Sequence, residues 1–317
     1  MKLPLRVVAL EHAACYRGAM PVVDYARLPT EQRLARSRSL DQLSTARVLR
    51  LMHHEDLRAV RAVGRQLRLI ASGISLIEDA LRGPHRLWLV GAGTSGRLAV
   101  LEAAECPPTF HTSPSQIQAL IAGGPQAVFR SREGAEDDRR QVQRAIARRV
   151  RRGDVVVGIA ASGVTPFVDA ALRAAREQGA STILVTCSSG STIPADVRIC
   201  VPVGPEVLTG STRLKAGTAT KLVLNMLTLG SMVRLGKTYG HLMVDVAPTS
   251  KKLRARALSI IQQVAKVSPS KAQRYLQAAG GNVKVALLLA TQPLSVTQAR
   301  RHITQARGSL RRALESF

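Results

Sequence analysis

The chain has 317 residues, 45% of them hydrophobic and 21% charged, with a mean hydropathy of +0.04. That length admits one large domain, or one domain with a smaller appendage, and a chain of this size buries roughly three quarters of its unfolded surface. Lys and Arg number 46 against 21 Asp and Glu, a formal charge of +25 and a pI near 11.4, which by charge alone points to nucleic acid. An aromatic content of 3% opposes the single-stranded form of that reading, which needs stacking platforms.

No apolar run approaches the length of a membrane-spanning helix, and Arg6, Glu11 and His12 interrupt any signal-peptide core. Cys15, Cys106, Cys187 and Cys200 are widely spaced with no CxxC pair, so neither a zinc site nor a disulfide framework is indicated, and a reducing cytoplasm fits. Cys106 has no evident His partner to make it a nucleophile.

Residues 1–44 are polar and weakly periodic and read as an arm, with Met20 as an alternative start. From Thr45 to Leu81 the apolar residues recur at three or four, which predicts two amphipathic helices divided near His54–Asp56. Short apolar runs then alternate with helical patterns. The runs lie at 86–91, 116–122, 154–160, 182–186 and 197–203, and the helical patterns at 96–104, 138–151 and 166–178. Continuous apolar strands alternating with helices predict an α/β fold with a five-stranded, mainly parallel sheet covered on both faces. A long helix follows from about Arg213 to Leu235, and residues 45–252 form one unit on this reading. Residues 253–317 carry only helical patterns and form a small all-α unit, where Ser268 caps a helix opened by Pro269.

The first strand runs into Gly91-Ala92-Gly93-Thr94-Ser95-Gly96, which fits GxGxxG. A dinucleotide site also needs an acid at the end of the second strand, and that strand ends Ile121-Ala122-Gly123-Gly124. Thr94 and Ser95 instead add hydroxyls to the free N–H groups and positive dipole of a helix start, a combination suited to a phosphate monoester. The third strand ends Ala161-Ser162-Gly163-Val164-Thr165-Pro166 and repeats the small-hydroxyl chemistry at the same sheet edge, with Thr165 as the N-cap. Two such loops at one edge imply one sugar phosphate.

Residues 91–110, 132–138, 158–168, 204–227 and 236–253 closely resemble the N-acetylmuramic acid 6-phosphate etherases, of the sugar-isomerase (SIS) domain superfamily. The resemblance runs from about Leu40 to the C-terminus, where residues 280–289 resemble the UBA-like tail of that family. The related mammalian glucokinase regulatory protein shares these motifs without being an etherase, so a non-catalytic sugar-phosphate-binding regulator is the alternative. The resemblance implies a three-layer SIS fold and cleavage of the D-lactyl ether of N-acetylmuramate 6-phosphate, giving N-acetylglucosamine 6-phosphate and D-lactate without metal or organic cofactor. It also implies a homodimer.

By the same resemblance Glu105 is the proton donor and Glu136 the second essential carboxylate. Ser95 and Ser162 match the phosphate-binding serines, supported by Gly93, Thr94, Gly163 and Thr165, while Glu206, Ser211, Thr212, Arg213 and Lys215 fall where relatives approach the sugar phosphate. Read from the residues alone, Pro107-Pro108 ends the helix that bears Glu105, Ser211 and Thr212 cap the helix from Arg213, and Lys215 opposes the dipole of that helix. Val164, Thr220, His241 and the CSSGS turn at 187–191 depart from the family pattern. The arginine-rich run 139–152 reads as a solvated helix face and not as a nucleic-acid site.

Overall fold

A computed structural model describes residues 24–317; Met20 and Cys15 lie outside the described residues. Residues 24–44 form three short 3-10 turns. Two helices follow, α1 (Thr45–Gly64) and α2 (Leu67–Arg82). They divide at Arg65–Gln66 and not at His54–Asp56. The charged break in the pattern there is a buried carboxylate, since Glu55 lies on the same buried face as Ala59, Ala62 and Val63.

The alternating region folds as β1 (Leu87–Gly91), α3 (Gly93–Phe110), β2 (Ile117–Ile121), α4 (Arg139–Arg149), β3 (Val155–Ala160), α5 (Pro166–Glu177), β4 (Ser181–Thr186) and β5 (Val197–Cys200). The five strands form one all-parallel sheet in the order β2-β1-β3-β4-β5. β5 stops at Cys200, three residues short of the apolar run.

Alternate strand residues feed two apolar layers. Leu87, Leu89, Val155, Val157 and Ile183 pack under α1, α2, α3 and the long α6 (Lys215–Arg234). Trp88, Val90, Val156 and Leu184 pack under α4 and α5. At the far end of the sheet the buried Asp154 accepts from Arg86 N at 2.9 Å, Trp88 Nε1 at 3.1 Å and Arg151 N at 3.0 Å, so its charge is solvated by the chain itself.

Three helix-end expectations change. α3 continues through Pro107 and Pro108 to Phe110, where His111 adopts the left-handed conformation and donates its N–H to Pro107 O at 2.9 Å. Proline's fixed φ suits a helix, and the burial of Cys106 and Phe110 holds the last turn in place. α6 starts at Lys215, and neither Ser211 nor Thr212 caps it. Thr165 occupies the N-cap of α5 without a side-chain capping bond.

Helices α7 (Lys251–Ala265), α8 (Pro269–Ala278), α9 (Val283–Thr291), α10 (Val296–Gln305) and α11 (Leu310–Glu315) enclose a third apolar cluster, which also takes in Val244 and Val246. Ser268 caps α8 through Lys271 N, with Pro269 at its first position.

The glycine loop shows why its small residues are needed. A Cβ on Gly96 would lie 2.6 Å from Ile121 Cγ1 and 2.7 Å from Gly91 O, so α3 sits on β1 and β2 too closely for any side chain. Gly96→Ala is expected to destabilise the protein by about 1–3 kcal/mol, as overpacking does. The measurement is the urea midpoint, which should fall at unchanged slope.

Candidate active site

In the strand order β2-β1-β3-β4-β5 the connections leave β1 and β3 in opposite directions, and the ends of those two strands frame the crevice where ligands of open α/β sheets bind. Both hydroxyl-rich loops sit there, one after β1 and one after β3. Gly93 has φ +53° with open space around it, so the backbone can be approached closely. Thr94 and Ser95 are half-buried in the first turn of α3.

The second loop is fastened from behind. Gly163 has φ +77°, and Ser191 donates its hydroxyl to Gly163 O at 2.6 Å. Thr186 Oγ1 donates to Ala161 O at 3.5 Å and accepts from Ser188 N at 3.1 Å. Ser162 Oγ accepts from Val164 N at 3.4 Å, closing a turn that leaves Ser162 and Thr165 half-buried at the crevice. Sequence reading did not single out Thr186 or Ser191, although Ser191 ends the turn that departs from the family pattern. Their signal was hydroxyls at the last residue of the next strand and in the turn that follows it.

Glu136 lies in the 3-10 turn Ala135–Asp137, which Gly134 enters with φ +71°. The segment is tied to the end of β2, where Arg132 Nη1 donates to Gly123 O at 2.9 Å. A cavity of about 120 Å³ is lined by Gly93, Arg97, Arg132, Glu133 and Glu136 among others, so the carboxylate and the first loop share one space. Partial desolvation there, then the negative charges of Asp137 and Glu133, push the Glu136 carboxyl above its ordinary value.

Glu105 is exposed on α3 and is not among the residues lining that cavity. It follows Ser95 by ten helical residues, about 15 Å along the axis. One turn earlier, the buried Glu102 accepts from Asn225 Nδ2 at 2.8 Å and from the Thr228 hydroxyl, clamping α3 to α6. Cys106 is buried, and desolvation with the charges of Glu102 and Glu105 pushes its thiol to about 12, so it is no nucleophile at neutral pH.

The start of α6 resolves the question of Lys215. The residue is 1% exposed, and its ammonium is bonded to Glu55 of α1, itself 1% exposed. The anion that answers this cation is therefore internal. The equally buried Glu206 accepts from Lys215 N at 3.3 Å and Ala216 N at 2.9 Å, capping α6 with a carboxylate. Burial pushes the Glu206 carboxyl up despite those amides. Glu55, Asp56, Glu206, Arg213, Lys215 and Thr218 line a second cavity of about 220 Å³. A Cβ on Gly217 would lie 3.6 Å from Thr94 Cγ2 and 3.5 Å from Thr212 O, so this corner adjoins the first loop. Arg213 is exposed and Ser211 half-buried beside it. Thr220 is buried and returns its hydroxyl to Ala216 O at 2.8 Å. Among the described residues no cluster of His, Cys, Asp and Glu could hold a metal ion.

Residues 137–230 match the SIS domain, and residues 69–176 match the glucokinase regulatory protein N-terminal SIS domain. The fold and the paired loops are thus those of a SIS-domain protein. A curated relative from Gloeobacter violaceus, named N-acetylmuramic acid 6-phosphate etherase, is 54% identical over 267 residues, 83% of this chain and 87% of its own. One of the same name from Geobacillus thermodenitrificans is 47% identical over 291 residues, 91% of this chain and 99% of its own. Among solved structures, a phosphoheptose isomerase from Francisella tularensis shares 14% identity at a TM-score of 0.47, covering 61% of this chain and 100% of that one. The chain belongs to the N-acetylmuramic acid 6-phosphate etherase family.

The Glu55–Lys215 pair has a measurable consequence. Burial pushes the Glu55 carboxyl up, but the hydrogen bond and charge of Lys215, and then Arg58, outweigh it and leave it below the ordinary 4.5. Glu55→Gln strands a buried ammonium and is expected to cost about 3–5 kcal/mol at neutral pH. Because the folded carboxyl is depressed, its contribution is full above 4.5 and is lost as pH falls through the folded value. Denaturant unfolding of both proteins from pH 7 downward should show the gap closing in acid.

Proposed function

We propose that this chain is an N-acetylmuramic acid 6-phosphate etherase, a carbon–oxygen lyase that releases D-lactate and N-acetylglucosamine 6-phosphate by elimination followed by water addition. The observation that carries the reading is the shared cavity of Gly93 and Glu136 at the ends of β1 and β2, in a chain whose relatives carry that name over most of their length.

The phosphate falls to the helix starts: N–H groups at the head of α3, the hydroxyls of Thr94, Ser95, Ser162 and Thr165, and the flexible backbone at Gly93 and Gly163. Opening of the sugar ring exposes an aldehyde and makes the C2 proton acidic. Glu136 takes that proton, the C3–oxygen bond breaks, and Glu105 protonates the departing lactate oxygen; water then adds at C3. A carboxyl raised toward the operating pH is suited to a base of this kind, since proton-transfer efficiency peaks there. Glu206, Ser211, Thr212, Arg213 and Lys215 form the opposite wall, where Glu206 and Lys215 act by holding the start of α6 and Arg213 offers its guanidinium. The reaction falls to the protein's own groups, without metal or organic cofactor, in the cytoplasm.

We place Glu105 in the site through a homodimer. The outward face of α3 carries Glu105 with Leu101, which is 47% exposed, and α6 leaves Leu229 51% exposed one residue beyond its contact with Glu102. A second copy on this face brings a Glu105 to the neighbouring crevice. The regulator reading has less support, because the related regulator has two SIS domains and the described residues form one five-stranded sheet.

The deciding assay is D-lactate release from N-acetylmuramate 6-phosphate. Wild type should turn over, and Glu105→Gln and Glu136→Gln should each lose about 10²–10⁴-fold in rate with sugar-phosphate binding retained. Binding without release by wild type would leave the regulator. Glu136 must be ionised to act, so the rate should fall on the acid side at a pH above an ordinary carboxylate's. Asp137→Asn removes a charge that raises Glu136 and should move that limb to lower pH.

A further inference from the structure

A large cavity of the described structure lies apart from the one that Gly93 and Glu136 share. It measures about 650 Å³ and lies at the open edge of the sheet, along β2. Residues of both faces of β2 line it: Ile117, Ala119 and Ile121 from one, Gln118 and Leu120 from the other. Val100, Ala103 and Pro107 of α3 form one wall, and Val142, Ala145 and Arg149 of α4 the other. A space that touches both faces of an edge strand and both helix layers has the position of a further strand.

The backbone is set for one. Leu87 N donates to Gln116 O and Ala122 N to Gly91 O, so the even-numbered residues of this strand face β1. Alternation along a parallel strand then turns the amides and carbonyls of Ile117 and Ala119 outward. Among the described residues β2 pairs with β1 alone, so this edge is a row of open donors and acceptors.

A second depression, about 570 Å³, adjoins the slot and shares Gln141, Ala145 and Arg149 with it. Its other lining residues are Arg140, Arg144, Arg148 and Asp138, whose carboxylate is engaged in capping α4 through Gln141 N at 2.9 Å. Among the described residues no carboxylate lies within ion-pair distance of Arg140, Arg144, Arg148 or Arg149. By contrast, Arg139 on the same helix is paired to Asp169 at 3.1 Å. At the far end Phe129, next to the lining residue Val128, is 86% exposed.

We propose that this slot receives an extended acidic segment of a partner protein, which adds to β2 as a sixth strand, buries alternate apolar side chains between α3 and α4, and sets its carboxylates against the arginines of α4. Charge disfavours a second copy of this chain. A twofold axis through the β2 edge brings the two α4 helices side by side, arginine against arginine, in a chain with 46 basic and 21 acidic residues.

The probe is a fluorescein-labelled octapeptide of alternating valine and glutamate, titrated with the full chain at low salt and read by anisotropy, beside its valine–lysine counterpart. The acidic peptide should saturate, and the lysine peptide should bind about tenfold more weakly or worse. Two variants locate it. Ala119→Pro removes one outward N–H and no bond to β1, a place where an edge strand tolerates proline, and should abolish binding. The double change Arg144→Glu with Arg148→Glu, on an exposed helix face, should reverse the preference toward the lysine peptide, and it decides the matter even if the proline variant misfolds. Equal binding of the two peptides, or binding indifferent to Ala119→Pro, overturns the proposal. So does a DNA duplex that displaces the peptide and binds the proline variant equally, or a self-assembly that Ala119→Pro splits in sedimentation.

Discussion

The start of α6 is the point on which the site depends. Two glutamates and one lysine, each 1% exposed, meet there from separate stretches of chain. Glu206 caps the helix, Lys215 turns from that helix toward α1, and Glu55 receives it. Charges removed from water this far must be answered by partners in nearly ideal geometry, and removal of one partner is far more costly than the net value of the pair. The arrangement therefore behaves as a locator. It fixes the segment 206–215, and with it Thr212 and Arg213, relative to Thr94 beside Gly217. The sheet sets the two hydroxyl-rich loops by strand order, while this knot sets the segment that adjoins the first of them.

Much of the fold was legible because its signal is local. Five continuous apolar runs separated by helical patterns leave a parallel sheet as the one solution that covers both faces, and the glycine loop announces a strand-to-helix turn. The boundaries that failed did so for tertiary reasons. His54–Asp56 looked like a break because a buried carboxylate is indistinguishable from a surface one until its partner, 160 residues away, is known. Pro107-Pro108 looked like a helix end because local rules count the lost hydrogen bonds but not the burial of Cys106 and Phe110 on the next turn. Ser211 and Thr212 looked like caps because the true cap, Glu206, is nine residues before Lys215 in the chain.

The site divides along the same line. Gly93, Gly163 and the hydroxyls beside them sit at the strand ends where their motifs place them, because a loop at a strand end is a local object. The two glutamates do not share that property. Glu136 shares a cavity with the first loop, in a segment that Arg132 ties to the end of β2. Glu105 stands about 15 Å along α3 from Ser95, and within one chain the helix cannot shorten that distance. If Ser95 and Glu105 serve one reaction, as proposed, that separation is what calls for a second subunit.

The charge of +25 is distributed in a way that separates attraction from recognition. Nine of the 46 basic residues are lysine and the rest arginine, and Arg140, Arg144, Arg148 and Arg149 stand on α4, beside the sheet edge and not over the crevice. Exposed charges are screened beyond about 8 Å at physiological ionic strength, so at the distance of the crevice these arginines contribute a diffuse positive field. On the proposed reading, recognition falls instead to nearly neutral devices, namely helix starts, hydroxyls and glycine backbone, whose reach is a hydrogen bond. Had the arginines of α4 served only solubility, acids interleaved at i, i+4 would have stabilised the helix as well. Their absence from α4 leaves a one-sign surface next to an open strand, the combination that a bare sheet edge uses to repel copies of its own kind while admitting a chain of opposite charge.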